Sequence, residues 1–253
     1  MGPEESGPLV RRGADLPILP RLRIWHSRRA ELENGASVGS SPHEVKKSRQ
    51  NYNRGVVAGV ILAAGRSSRM GRAKALLRQV QSGHTFVGHL IRTALAAALN
   101  PVFVVVRRDD IYLRDEIARY GASAIVNADP DAGQLSSIQA ALPAIEASGA
   151  RAMVLMPVDI PLIATDDVNA VVAACEPDHI QIVRATHKGV HGHPVLFKRA
   201  MFDELRAADP QVGARVVVRA DPRRVLDVEV SNPGVTLDID TPEDYRRAFG
   251  RSL

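Results

Sequence analysis

Between residues 62 and 74 the chain reads Leu62-Ala63-Ala64-Gly65-Arg66-Ser67-Ser68-Arg69-Met70-Gly71-Arg72-Ala73-Lys74. Small residues let the backbone approach a ligand, and the glycines permit dihedrals closed to other residues. Backbone N–H groups, with Arg66, Arg69, Arg72 and Lys74 around them, suit a polyphosphate. The spacing is not that of the Walker loop, nor is it Gly-x-Gly-x-x-Gly. The plainer reading is a basic, solvated turn.

Three later segments carry chemistry of the same kind. Asn127-Ala128-Asp129-Pro130-Asp131-Ala132-Gly133-Gln134-Leu135-Ser136-Ser137-Ile138 reads as a loop opening a helix, with Ser136 as the candidate N-cap. Such helix N-termini offer free N–H groups to anions. In Met156-Pro157-Val158-Asp159-Ile160-Pro161-Leu162 an aspartate ends a buried strand, where a Mg²⁺ ligand belongs. Otherwise Asp159 only starts a turn before Pro161. In Leu237-Asp238-Ile239-Asp240-Thr241-Pro242-Glu243-Asp244, Asp238 and Asp240 face the same way if the segment is extended. Thr241 can cap a helix starting at Pro242, and either aspartate could serve only as a cap. His193, in Gly192-His193-Pro194, reads equally as backbone support or ligand contact. His84, His89, His179, His187 and His191 show no metal-ligand spacing, and Cys175 reads as a buried helical residue.

The first segment resembles the signature Leu-Ala-Ala-Gly-x-Ser-x-Arg-Met-Gly-x-x-Lys of the MobA-like nucleotidyltransferase family. The likeness runs from about Val56 to Phe249 and is greatest to the molybdenum cofactor cytidylyltransferase branch. It implies the fold of the nucleotide-diphospho-sugar transferases and transfer of a nucleotidyl unit, most simply CMP from CTP. The acceptor would bear a phosphate, as molybdopterin does, and pyrophosphate would leave. It also implies site residues. Leu62, Ala63, Ala64, Gly65, Arg66, Lys74, Gln134, Ser136 and Ser137 would bind the nucleotide. Lys74, Arg69 and Asp159 would act on the phosphates. Asp159 and Asp240, supported by Asp238, would hold Mg²⁺, and Gly192 and His193 would line the acceptor pocket.

Ala63 and Ala64 lean away from the guanylyl branch, whose loop usually reads Leu-Ala-Gly-Gly. The chain departs from the family at Arg78, where proline is frequent, and at Gly189-Val190-His191, where an arginine commonly precedes Gly-His-Pro. The second departure falls beside the presumed acceptor site. A sugar- or polyol-phosphate nucleotidyltransferase, or another cofactor nucleotidyltransferase, would share this chemistry. A reading of another class is a non-catalytic chaperone that delivers cofactor to a molybdoenzyme; Lys74, Asp159 and Asp240 argue against it.

Positioning these segments requires strands that alternate with helices. The strands expected are Val56–Leu62, Val102–Val106, Ala122–Val126, Met153–Met156, Ile180–Val183, Val195–Phe197 and Val225–Val230, several of them continuous apolar runs. Helices are expected at Thr85–Leu99 with Thr85 as N-cap, Ile111–Tyr120, Ser136–Ala147, Asp166–Ala174, Ala200–Ala207, Val212–Arg219 and Pro242–Phe249. Apolar runs alternating with helices predict an α/β fold: a Rossmann-like, mostly parallel sheet with helices on both faces, in a single domain over residues 55–253. Ligands in such sheets bind beyond the carboxyl ends of the strands, which is where the first and third segments fall.

The chain has 253 residues and a formal charge of +5. Residues 1–54 hold ten basic and six acidic side chains; the rest hold 23 and 22. The excess therefore sits in the N-terminal segment, which gives no ground for nucleic-acid binding by the folded part. One cysteine excludes a disulfide framework and fits a reducing, cytoplasmic setting. No apolar run reaches the ~20 residues of a membrane span, and Arg11 and Arg12 are not followed by the apolar stretch of a secretory signal.

Residues 1–54 are rich in proline, glycine, serine and arginine and read as a disordered or loosely docked extension, with one apolar patch from Leu16 to Trp25. A second reading is an overlong gene start, with translation beginning at a GTG codon for Val56 or Val57. A chain starting at Arg54 is expected to keep its melting temperature within a few degrees, because this composition cannot bury enough surface to offset ordering. Trp25 is the only tryptophan. A strongly blue-shifted emission maximum, or a large loss of melting temperature, would show that the patch packs on the domain.

Overall fold

The structure, a computed structural model, describes Gly2 and residues 55–252. The expectations for residues 1–54 lie outside the described residues. The sheet belongs to a compact unit spanning Lys47–Leu253.

Seven strands form one sheet in the order β3-β2-β1-β4-β6-β5-β7. They are β1 (Val57–Leu62), β2 (Val102–Val106), β3 (Ser123–Val126), β4 (Ala152–Pro157), β5 (Ile182–His187), β6 (Val190–Lys198) and β7 (Val225–Glu229). All neighbours pair in parallel except β6, which runs against both β4 and β5. Every residue of β1, β2 and β4 is buried, as continuous apolar runs require in a sheet covered on both faces. The partly exposed β3 and β7 are the edges.

Side chains alternate across β1. Val57 and Ile61 enter one core, and Ala58, Val60 and Leu62 the other. The first core holds helices α1 (Phe86–Ala96), α2 (Ile111–Arg119), α4 (Thr165–Ala173) and α7 (Pro242–Phe249). The second holds α3 (Gln134–Ala147), α5 (Phe202–Ala207) and α6 (Arg215–Ala220).

Local chemistry sets the element ends. Thr85 caps α1 by accepting from the Gly88 amide at 3.1 Å. Thr241 and Asp244 form a reciprocal capping box at α7, with Pro242 in its first turn. Tyr245 and Phe249 of α7 pack their rings on Phe86 of α1, and the Tyr245 hydroxyl donates to the Arg78 carbonyl at 2.7 Å. The last helix is thereby fixed behind the loop that follows β1.

Several sequence expectations need correction. Ser136 is not the N-cap of α3. The helix begins at Gln134 behind Gly133, and Ser136 donates to the carbonyls of Gly133 and Asp129 at 2.7 and 2.9 Å. The cap conformation, φ 116°, is one that glycine adopts freely, and a Cβ at Gly133 would lie 2.7 Å from the Pro210 carbonyl oxygen. Gly192-His193-Pro194 lies inside β6 rather than ahead of it. β5 and β6 extend past their apolar stretches into a hairpin closed by Lys188 and Gly189, both at positive φ, as two-residue hairpin turns demand. Cys175 is buried in the turn after α4, not within it.

Candidate active site

The carboxyl ends of β1, β2 and β4 open onto one side of the sheet, and two cavities lie there. The first, of about 750 Å³, is lined by Leu62 to Ser68, Ala73 to Ala75, Arg107, Gln134, Ser137 and Asp159, among others. The second, of about 810 Å³, is lined by Asp159, Asp238, Gly192, His193, Gln134 and residues 212–219 except Val216 and Val217. Gln134, Pro157 and Asp159 line both. The end of β4 thus borders both cavities.

The loop after β1 is shaped by its own polar groups. Ser67 takes a left-handed conformation, φ 51°, a strain that persists only where surroundings enforce it. Its carbonyl accepts from Met70 at 3.0 Å and its Oγ from the Lys74 amide at 3.2 Å. The loop folds back so that Lys74 enters the first cavity. Lys74, only 9% exposed, pairs through Nζ with Asp240 Oδ1. Arg69 Nη2 donates to the other oxygen, Asp240 Oδ2, at 2.7 Å. Arg72 is exposed and does not line the cavity.

Two residues were not singled out by sequence. Arg107, at the end of β2, donates to the Ala64 carbonyl at 3.1 Å and to both oxygens of Asp131 at 3.2 Å. Arg66 grips the same carboxylate from the other side. Hydrogen bonds from Arg66 and Arg107 hold the Asp131 carboxyl well below the usual range. The pair tethers the first loop to the loop ahead of α3, and only its position at a strand end could have flagged Arg107.

Ser136 and Ser137 are buried and hold Asn127, whose Nδ2 donates to their hydroxyls at 2.8 and 3.0 Å. Of the two serines, Ser137 lines the first cavity. Gln134 reaches both volumes.

Asp159 is half-buried and its backbone carbonyl accepts from Ile239 at 2.7 Å. That bond brings the C-terminal segment alongside β4. Ile239 is fully buried, with Asp238 and Asp240 on either side of it in the chain. Burial raises the Asp159 carboxyl above its ordinary value; Lys74 opposes this, while Asp238 and Asp240 add to it. Asp238 is raised in the same way, by burial first and by Asp240 second. Asp240 is lowered, chiefly by its bond to Lys74.

These carboxylates fit a divalent cation. Asp159 and Asp238 receive no side-chain hydrogen bond among the described residues, and a hard cation between such oxygens would relieve their repulsion. No group of three or more His, Cys, Asp or Glu side chains among the described residues is placed to hold a metal ion, so the fit rests on the two open carboxylates alone.

On the far side, His193 Nδ1 lies 3.4 Å from the Leu155 carbonyl. Burial pushes the imidazole down to about 4, so it is neutral near pH 7. Gly192 sits against the Val235 carbonyl where a Cβ would clash. His89, whose pKa burial lowers, is tied to the Ile163 carbonyl at 3.1 Å, and His187 to that of Val230 at 2.9 Å; both are structural.

No helix among the described residues is long and apolar enough to cross a membrane.

Comparison with known proteins gives the family and the fold. Residues 59–225 match the MobA-like NTP transferase domain. The purine catabolism protein PucB of Bacillus subtilis (strain 168) is 31% identical over 202 residues, covering 76% of this chain and 96% of that protein. The molybdenum cofactor cytidylyltransferase of Escherichia coli K12 is 29% identical over 194 residues, covering 76% and 95%. Among solved structures, Rv0371c of Mycobacterium tuberculosis H37Rv in complex with manganese superposes with a TM-score of 0.64 at 27% identity, covering 77% of this chain and 98% of that one.

Proposed function

The chain belongs to the MobA-like NTP transferase family and is a nucleotidyltransferase, and on that premise we propose that it transfers CMP from CTP to a molybdopterin-type phosphate. The observation that carries this reading is the pair of cavities meeting at Asp159. A nucleotide in the first and an acceptor in the second would place the α-phosphorus and an acceptor oxygen on either side of one carboxylate.

In the reaction an acceptor phosphate oxygen bonds to the α-phosphorus, and the bond to the bridging oxygen of pyrophosphate breaks. The acceptor is already anionic near neutral pH, so no strong general base is needed. Catalysis then rests on alignment and on neutralising charge. The folded-back loop presents backbone and Lys74 to the phosphates, with Arg69 beside it. Asp159 would hold Mg²⁺ together with Asp238, whose oxygens have no side-chain partner among the described residues, or with Asp240 once Lys74 and Arg69 turn to the phosphates; bound there, the ion would neutralise phosphate charge. Arg66 and Arg107, fixed by Asp131, keep the Ala63–Ala64 backbone in place for the base.

Support for cytosine comes from Ala64, which stands where the guanylyl loop has glycine, and from the similarity to the cytidylyltransferase of E. coli. A site whose buried polar groups pair with one base rejects others, because those groups would be left unpaired. Calorimetry with CTP, GTP and ATP in Mg²⁺ is expected to show a clear preference for CTP; preference for a purine would refute the base assignment and leave nucleotidyl transfer standing. Pyrophosphate release is expected with CTP and molybdopterin. Turnover with a sugar or polyol phosphate, and none with molybdopterin, would reassign the acceptor.

A further inference from the structure

The second cavity has an apolar wall that includes Leu155, Val195 and Val218, and several basic side chains. Most of these are already committed. Arg184 donates to both oxygens of Asp227 at 2.8 and 3.1 Å, and His191 Nε2 lies 3.2 Å from the same carboxylate. His193 is neutral and turned to a backbone carbonyl. Arg215 and Arg219 differ: both are exposed, both line the cavity, and neither side chain has a hydrogen bond or ion pair among the described residues. They stand four residues apart on α6 and so share one face of it.

The contrast along this stretch is sharp. Arg223 is held by Asp221 and Arg224 by Glu204. Arg224 also donates to the Val217 carbonyl at 3.0 Å, which ties α6 down, while the Val217 side chain is buried beneath it. On the other flank, Pro210 packs against Gly133 at the head of α3. The backbone carrying Arg215 and Arg219 is thus anchored on both sides while their guanidinium groups are unpaired. The carboxylates of Asp159 and Asp238 line the same cavity, and Arg215 is near enough to Asp238 to act on its charge. An anion entering this volume is repelled by the carboxylates and drawn to the two arginines.

The geometry points to Arg215 and Arg219 as the groups that receive the phosphate of the acceptor. This rests on the reading that the second cavity is the acceptor site. Planar guanidinium forks suit a phosphate monoester, which offers several oxygens to two donors. With His193 neutral, these arginines supply the positive charge that selects a phosphorylated acceptor over a neutral alcohol, and they hold its oxygen toward the nucleotide. They are positioning residues for the acceptor and take no part in nucleotide binding.

The test uses inorganic phosphate as the probe, by equilibrium binding to the full chain saturated with CTP and Mg²⁺ at fixed ionic strength. Wild type is expected to bind phosphate saturably. The Arg215→Ala/Arg219→Ala variant is expected to bind it about tenfold more weakly or worse, with CTP affinity and melting temperature unchanged. Arg215→Lys/Arg219→Lys should recover part of the loss, since charge returns without the fork. Where an acceptor supports turnover, its KM should rise while that for CTP stays fixed. No saturable phosphate binding to wild type, equal binding to the alanine variant, or a parallel loss of CTP affinity would overturn the assignment. Absence of pyrophosphate release with any acceptor would instead remove the catalytic reading, and the phosphate comparison would still decide the role of the two arginines.

Discussion

Replacing Asp159 with asparagine is expected to lower turnover by ~10³-fold or more and to leave the fold intact, since removing one preorganised charge-stabilising group can cost that much. Asparagine keeps the size and polarity of the residue, and the bond that anchors the C-terminal segment uses the Asp159 backbone carbonyl, which the substitution does not touch. The carboxylate itself adds no stability to the empty site. Burial lifts its pKa, and Asp238 and Asp240 lift it further against the pull of Lys74. A carboxyl raised in the folded state destabilises that state once it ionises. Without divalent cation at neutral pH the variant should therefore melt no lower than wild type. Wild type should gain melting temperature from Mg²⁺ and CTP together, and the variant should lose most of that gain. Turnover within tenfold of wild type would remove Asp159 from the metal site.

Lys74→Ala is expected to cost ~10²-fold or more in kcat. Lys74 is the buried cation of the first cavity, and its ammonium is delivered there by the turn that Ser67 closes. Its loss does not orphan Asp240, because Arg69 remains on the second oxygen at 2.7 Å. The fold should survive, so a change in rate can be read as chemistry. Lys74→Arg gives the contrast: charge is kept, but a planar fork replaces a compact ammonium in a confined space, and activity should be only partly restored. A variant whose kcat and KM for CTP both match wild type would return this loop to the status of a solvated turn.

What could be read from the sequence were features written in contiguous residues. The apolar runs of β1, β2 and β4, the Thr85 cap and the Pro242 start all follow from local composition. The loop after β1 and the aspartates of the third and fourth segments were visible because each combines unusual residue types at one strand or helix end. Less legible were features made by pairing across the fold. Asp131 reads as a loop aspartate until Arg66 and Arg107 arrive from two other strand ends. Ser136 reads as a cap until Gly133, with its positive φ, takes that position and the hydroxyl turns to a carbonyl. The hairpin of β5 and β6 runs through polar residues that carry no apolar signal, so the strands look shorter than they are. Arg215 and Arg219 differ from their arginine neighbours only by what they fail to touch, which no sequence pattern records.

The ion pairs of Asp240 with Lys74 and Arg69 join residues 166 and 171 positions apart. Contacts so distant along the chain close late, because the loop between them must first be ordered. On a ribosome the loop bearing Lys74 emerges early, and its carboxylate partner arrives only just ahead of α7. Until then Arg66 can pair with Asp131 but Lys74 and Arg69 lack their carboxylate, and Asp159 lacks the segment that hydrogen-bonds to its carbonyl. A chain broken off anywhere before Asp240 would retain the sequence of all seven strands at most, yet never close these two ion pairs. Joining the loop after β1 to the segment before α7 is thereby conditional on synthesis passing Asp240.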